Sequence, residues 1–319
     1  MLRAAEKYSI PVEDWLDLST GINPNGWPVP AVPAECWQRL PEQEDGLIEV
    51  AANYYDCESL LAVSGSQAAI QILPKLRSPC RVAVPEIGYA EHRFAWEQNG
   101  HHVIPLSTKR IFEQFDEFDV IVIINPNNPT GEMIDKDRLI DLHKKLARKE
   151  GWLIVDEAFM DMTPDQSLTK SSPLQGLFVL RSVGKFFGLA GIRAGFVVTD
   201  QKMLNEIENQ LGPWSVTTAT RWITKKALAD HQWQDAMRQQ LRERSARLNE
   251  LLETKFEVRC SGTDLFQTCW IDQAADLYER LAQQGILVRL LDQKEGLRLG
   301  LPSEVDAFDR LEKALSYSL

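Results

Sequence analysis

The sequence has no Cys-x-x-Cys pair, no excess of positive charge and no apolar run long enough to cross a bilayer. Each absence removes a class of function. The five cysteines, Cys36, Cys57, Cys80, Cys260 and Cys269, are scattered and odd in number, so neither a zinc site nor a disulfide framework is indicated. Free thiols in a reducing compartment are the expectation. The five histidines show no metal-ligand spacing, and His101 and His102 follow Gly100 in what reads as a loop. All are expected to be solvated, and no metal is expected. A formal net charge of -11 argues against a nucleic-acid surface, which needs clustered Lys and Arg, although two or three local arginines can still bind a small anion. The opening MLRAAEKYSIP carries charges where a secretory leader would be apolar. No leader, no membrane partner and a cytoplasmic location are therefore expected.

What is present is an ordinary globular composition, 44% hydrophobic and 25% charged over 319 residues, ample for one large domain or two of common size. Near-continuous apolar runs at 81–85, 119–126, 151–159, 177–182 and 194–200 read as strands buried on both faces. Helical stretches lie between them, such as the one opened by Asp135 and closed by Gly151. The pattern is α/β: a three-layer sandwich with a mostly parallel central sheet. Residues 217–255 read as strongly helical, with Leu241, Ser245, Leu248 and Leu252 on one stripe. Short strands then alternate with helices at 274–284 and 303–316, which suits a smaller α+β C-terminal domain. Pro24, Pro28, Pro30, Pro33 and Pro41 mark an extended arm. The expected division is an arm at 1–40, a large α/β domain at 41–215, and linking helices with a small domain at 216–319.

Within VLRSVGKFFGLAGIRAG, residues 179–195, Lys185 is followed by Phe186, Phe187, Gly188, Leu189 and Ala190, none of which helps to hold an ammonium group in water. A buried lysine needs a partner or a reaction. A P-loop would need glycine at position 179 and Ser or Thr at 186, where this chain has Val179 and Phe186. In open α/β sheets, ligands bind beyond the carboxyl ends of the strands. There the sequence offers Asp156 and Glu157, the NPNNPT turn from Asn125 to Thr130, Ser182 and Lys185. Ser64, Gly65 and Ser66 turn directly into a helix whose free amides suit an anion, and Arg193 could add a bidentate anchor. A lysine, a carboxylate, an asparagine and an anion cradle at separate strand ends are what pyridoxal 5'-phosphate requires: an imine partner, an acid for the pyridine nitrogen, and donors for the ring oxygen and phosphate.

RSVGKFFGLAGIRAG, NPNNPTG and DEAF resemble the fold type I pyridoxal-phosphate enzymes of the class I/II aminotransferase superfamily, in the same order and over nearly the whole chain. The resemblance implies that Lys185 is the covalent attachment point, that Asp156 pairs with the pyridine nitrogen and that Asn128 bonds the ring hydroxyl. Ser182 and Arg193 would hold the phosphate with Gly65, Ser66 and Gln67, and Tyr89 would stack on the ring. LDLSTGINPNG, RLPEQEDGL, GYAEHRFAW, DEAFMD and GPWSVTTA are further similar to the threonine-phosphate decarboxylase group of cobalamin biosynthesis. That implies decarboxylation of L-threonine O-3-phosphate to (R)-1-amino-2-propanol O-2-phosphate in a homodimer. Arg298 would grip the α-carboxylate. Arg289, expected to point inward from an apolar strand, would take the substrate phosphate, and Asn23 would line the entrance. Glu157 and Trp214 are assigned to structure.

Two features depart from the pattern. Phe159 stands where many members carry a tyrosine that donates to the ring oxygen, and no His-Gly-Gly segment precedes MLRAAEKY. An aminotransferase of the histidinol-phosphate type is the alternative, because sequence does not reveal which substrate bond stands perpendicular to the ring. A cofactor-binding regulator is a third possibility, but it would need a basic helix-turn-helix region, and none is read in this sequence.

Overall fold

In the computed structural model, which describes residues 1–171, 173–292 and 295–318, the chain divides into two compact units. The larger comprises Trp27–Asn128 and Glu132–His231; the smaller comprises Met1–Gly26, Pro129–Gly131 and the chain from Gln232 onward.

The larger unit is built on a seven-stranded sheet. Its spatial order is Leu60–Val63, Gly195–Val198, Leu177–Ser182, Trp152–Asp156, Val120–Ile124, Arg81–Pro85 and His102–Leu106. Gly195–Val198 runs antiparallel to both neighbours, and the other pairings are parallel. This is the mostly parallel sheet expected. The central strands are buried along their whole length because Val, Ile, Leu and Phe project to both faces. Val122, Ile154, Phe178 and Val197 anchor one core cluster, each side chain contributing about 1.5–3 kcal/mol by leaving water. The helix Lys136–Ala147 is capped by the Asp135 carboxylate, which accepts from the Asp137 N–H, and buries Leu139, Leu142, His143 and Leu146.

The expectation of solvated histidines fails for three of them. His92, His101 and His143 are buried because each ring has a polar partner. His101 Nε2 donates to the Pro74 carbonyl at 2.9 Å and its Nδ1 accepts the Cys80 N–H at 3.2 Å. His143 Nε2 donates to the Gln175 carbonyl at 2.9 Å. His102 opens a strand rather than sitting in a loop.

The smaller unit carries a four-stranded antiparallel sheet in the order Arg289–Leu290, Gly296–Gly300, Phe266–Trp270, Cys260–Thr263. The helices Ala274–Gln283 and Val305–Ser318 and most of the long helix His231–Phe256 belong to it. Leu241, Ser245, Leu248 and Leu252 form the expected buried stripe. The N-terminal stretch is not wholly extended: Leu2–Tyr8 is helical, and Leu16–Asp17 pairs with Ile286–Leu287. That pairing also splits the single strand expected around Arg289 into two short ones. Cys260 and Cys269 form a disulfide with their Cα atoms 4.5 Å apart, against the expectation of five free thiols. The hairpin register sets them directly opposite one another. Among the described residues no helix is long and apolar enough to cross a membrane.

Candidate active site

At the carboxyl ends of the larger unit's strands a cavity is lined by Gly65, Ser66, Gln67, Tyr89, Ile124, Asn128, Asp156, Ala158, Phe159, Ser182, Gly184, Lys185, Ala190 and Arg193. Every residue that the sequence put forward for the cofactor is among them. Asp156 ends its strand almost fully buried. Its Oδ2 lies 2.9 Å from His92 Nε2, and its Oδ1 accepts the Ala158 N–H at 3.0 Å. Both carboxylate oxygens are thus fixed. His92 is the residue that sequence reasoning missed; the available signal was its place three residues after Tyr89, at the start of the helix Glu91–Gln98.

Lys185 follows the strand Leu177–Ser182 in a turn that leaves little room: a Cβ on Gly184 would lie 3.0 Å from the Ala190 Cα. Phe186 and Phe187 are buried in the core, so the apolar flank that marked this lysine is packing that fixes its backbone. Lys185 Nζ lies 5.5 Å from the centroid of the Phe159 ring, a cation–π distance.

The anion cradle depends on two missing side chains. Gly65 has φ 75° and ψ 157°, a region essentially restricted to glycine. A Cβ there would lie 2.8 Å from Arg193 Nη2, and one on Gly195 would lie 2.6 Å from the Ser66 nitrogen. The Arg193 guanidinium therefore lies directly against the backbone of the Gly65 turn. Tyr89 is fixed by a relay in which its hydroxyl donates to Gln67 Oε1 at 3.1 Å and Gln67 Nε2 donates to Glu91 at 2.8 Å. Burial, then the Glu91 and Asp156 carboxylates, raise the Tyr89 pKa above its ordinary value. The turn that presents Asn128 is held by its neighbours. Asn125 bonds both backbone groups of Ile134, at 2.8 and 2.9 Å, and Asn127 Nδ2 donates to the Ile87 carbonyl at 2.9 Å.

Behind Asp156 and Ser182 the residue after the first, Glu157, and the residue before the second, Arg181, turn into a buried ion cluster. Arg181 donates to Glu157 at 2.8 Å and to Asp161 at 2.6 Å, with all three within 1% exposure. The Ser167 hydroxyl and the Leu168 N–H complete the Glu157 carboxylate. Burial pushes the Glu157 pKa up, against the pull of Arg181. Burial also opposes the Arg181 charge, but Asp161 and Glu157 outweigh it and hold this guanidinium firmly protonated.

The three substrate candidates belong to the smaller unit. Arg298 Nη2 donates to the Ser19 carbonyl at 2.7 Å, and its guanidinium lies 5.3 Å from the Phe266 centroid. Arg289 stands directly opposite it across neighbouring strands. Like charges so placed repel one another, and burial followed by Arg289 lowers the Arg298 pKa to about 10. Arg289 does not point inward as expected: its side chain is 60% exposed, 3.9 Å from Asp292, because its strand lies at the sheet edge. Asn23 is buried, and its Oδ1 accepts the Asn25 N–H at 2.9 Å, closing a local turn.

The larger unit's cavity thus combines an amine, a fixed buried carboxylate, an amide and a guanidinium set against the Gly65 backbone. That donor set fits pyridoxal 5'-phosphate. It defines the class of protein: the chain belongs to the aminotransferase class I and II family, whose model matches residues 39–304. It is 46% identical to the threonine-phosphate decarboxylase of Pseudomonas aeruginosa, over 98% of this chain and 94% of that one. Among solved structures, the histidinol-phosphate aminotransferase of Clostridium acetobutylicum superposes with a TM-score of 0.82 at 23% identity, over 95% of this chain and 98% of that one. The L-threonine-O-3-phosphate decarboxylase of Porphyromonas gingivalis gives 0.80 at 17% identity over the same shares. At those identities the two structures share the fold, and the fold serves both chemistries.

Proposed function

We propose that this protein is a pyridoxal-phosphate-dependent decarboxylase of L-threonine O-3-phosphate that forms (R)-1-amino-2-propanol O-2-phosphate in cobalamin biosynthesis. The observation that carries the reading is the gathering of Lys185, Asp156, Asn128, Ser182 and Arg193 in one cavity. Kinship over nearly the full length with a threonine-phosphate decarboxylase selects the substrate. When bound, the cofactor supplies an electron sink for the substrate bond that breaks. Lys185 Nζ would hold the cofactor covalently, and the same amine would serve as the proton donor at the reacting carbon. Asp156, held at Oδ2 by His92, keeps a proton on the ring nitrogen. Asn128 bonds the ring hydroxyl without help from position 159, where phenylalanine has no donor. Ser182, Arg193 and the Gly65, Ser66 and Gln67 turn hold the phosphate, and Tyr89 supports the ring face.

We assign Arg298 to the substrate carboxylate and Arg289 to its phosphate. A dianionic ligand would relieve the repulsion between these cross-strand partners. Asn23 keeps its place near the substrate entrance in this reading, with its side chain serving the Asn25 turn. The active form is a homodimer located in the cytoplasm. Val29, Trp37 and Leu40 are exposed on the proline-rich stretch, an apolar surface suited to a second copy, and an active monomer by sedimentation at assay concentration would contradict the dimer. The function is tested by supplying threonine phosphate and histidinol phosphate in parallel. Carbon dioxide release from the former and slow keto-acid-dependent amino transfer from the latter are expected. Faster transfer from histidinol phosphate with no carbon dioxide from threonine phosphate would overturn the proposal in favour of the aminotransferase.

A further inference from the structure

The stretch GPWSVTTA, 212–219, contributes nothing to the cavity lining, yet hydrogen bonds from it and from the helix it opens converge on the anion cradle. Thr217 caps the helix Thr218–Ala229: its Oγ1 accepts the Thr220 N–H at 3.2 Å and lies 3.0 Å from Thr220 Oγ1. Thr220 Oγ1 in turn donates to the Ile192 carbonyl at 2.7 Å. Ile192 directly precedes Arg193, whose φ of 55° and ψ of 58° are left-handed, a conformation a non-glycine residue keeps only when its surroundings impose it. On the other side of the cradle the Ser64 hydroxyl donates to the Ser215 carbonyl. Ser64 directly precedes Gly65, the residue against which the Arg193 guanidinium lies. One short segment is thus bonded to the residue before each half of the cradle.

We propose that Thr220 is a positioning residue for anion binding. Its hydroxyl fixes the Ile192–Arg193 peptide so that the guanidinium lies across the Gly65 turn, and the Ser64–Ser215 bond holds the facing half. Thr220 touches no ligand and acts through Arg193. The geometry explains why a threonine rather than an isosteric valine stands at this nearly buried position: the methyl group packs, and the hydroxyl holds a carbonyl whose peptide is in a strained conformation.

The proposal rests on the reading that this cradle takes the cofactor phosphate, and the test separates the two. Full-length protein stripped of cofactor is titrated with pyridoxal 5'-phosphate and with pyridoxal, which has the same ring and aldehyde but no phosphate. Thr220→Val should raise the Kd for pyridoxal 5'-phosphate by about three- to tenfold, the worth of one neutral hydrogen bond, with the pyridoxal Kd unchanged and Thr220→Ser restoring the wild-type value. A change confined to the phosphate-bearing ligand is one that a general loss of packing would not produce. Arg193→Ala should show a larger loss with the same selectivity. If Arg193→Ala is phosphate-selective while Thr220→Val leaves both affinities unchanged or lowers them in proportion, the positioning role is overturned and the cradle stands. If Arg193→Ala weakens both ligands equally, the cradle reading falls and the proposal with it. Should Thr220→Val fail to fold, Ser64→Ala removes the facing bond and must show the same phosphate-selective loss, or the proposal is overturned.

Discussion

Replacing Gly65 with alanine probes the cradle at its tightest point. The φ of 75° with ψ 157° costs a side-chain-bearing residue about 1–3 kcal/mol. For a unit of this size that is a fall of about 2–12 °C in unfolding midpoint, at roughly 2–4 °C per kcal/mol. The new Cβ would also stand 2.8 Å from Arg193 Nη2 and 3.2 Å from its Cζ, closer than carbon and nitrogen can approach, so the guanidinium must swing away. Losing one charge-assisted hydrogen bond to a phosphate, worth about 1.5–3 kcal/mol, should weaken cofactor binding by about ten- to a hundredfold. Gly191→Ala is the internal control. It lies two residues before Arg193, has no positive φ, and its Cβ would meet nothing within 4 Å. Absorbance titration with pyridoxal 5'-phosphate and a thermal melt on both variants decide the matter. Wild-type affinity in Gly65→Ala, or an equal loss in Gly191→Ala, would refute the reasoning.

Other perturbations follow from the same contacts. Arg298→Ala should weaken threonine phosphate and threonine alike, by about 2–5 kcal/mol if the carboxylate stays buried. Arg289→Ala should penalise only the phosphorylated substrate, and neither change should alter cofactor affinity; paired inhibition constants for the two amino acids check this. Arg181→Met strands two buried carboxylates and should cost about 3–5 kcal/mol of stability, with much of the loss recovered when Glu157 and Asp161 are replaced by apolar residues as well, as read by denaturant unfolding. Asp45 accepts a bidentate pair of hydrogen bonds from Arg221 at 2.8 and 2.7 Å. Burial opposes its charge, but the arginine prevails and holds its pKa below the ordinary 3.8. A depressed carboxylate pKa gives stability that is present above 3.8 and lost as pH falls through the folded value, so Asp45→Asn should lower the melting temperature at pH 7 and lose that deficit in strong acid.

The central strands were legible because burial on both faces writes itself as unbroken Val, Ile, Leu and Phe. Leu60–Val63 and His102–Leu106 went unread: the first is short, and the second is an edge strand with a proline and partly exposed positions. Lys185 and Asp156 stood out because Lys185 is set against an apolar flank and Asp156 closes an apolar run, both beyond the carboxyl ends of strands where α/β sheets bind ligands. His92 left no comparable mark, since its role exists only when the fold brings the first turn of the helix Glu91–Gln98 within hydrogen-bonding reach of Asp156. The disulfide was hidden for a related reason. Cys260 and Cys269 are nine residues apart, which means nothing until the hairpin pairs Thr263 with Phe266 and thereby brings the sulfurs together. Arg289 was misjudged because alternation within an apolar strand says which face a residue takes, not whether a neighbouring strand covers it.

Whether the chemistry resides at Lys185 is open to direct chemical trapping. Borohydride reduction of the protein reconstituted with pyridoxal 5'-phosphate, followed by proteolysis and mass mapping, should place the pyridoxyl group on the Lys185 ε-nitrogen and abolish carbon dioxide release from threonine phosphate. Recovery of the adduct on another lysine, or of no adduct from fully reconstituted active protein, would contradict the assignment of this cavity as the site of the reaction.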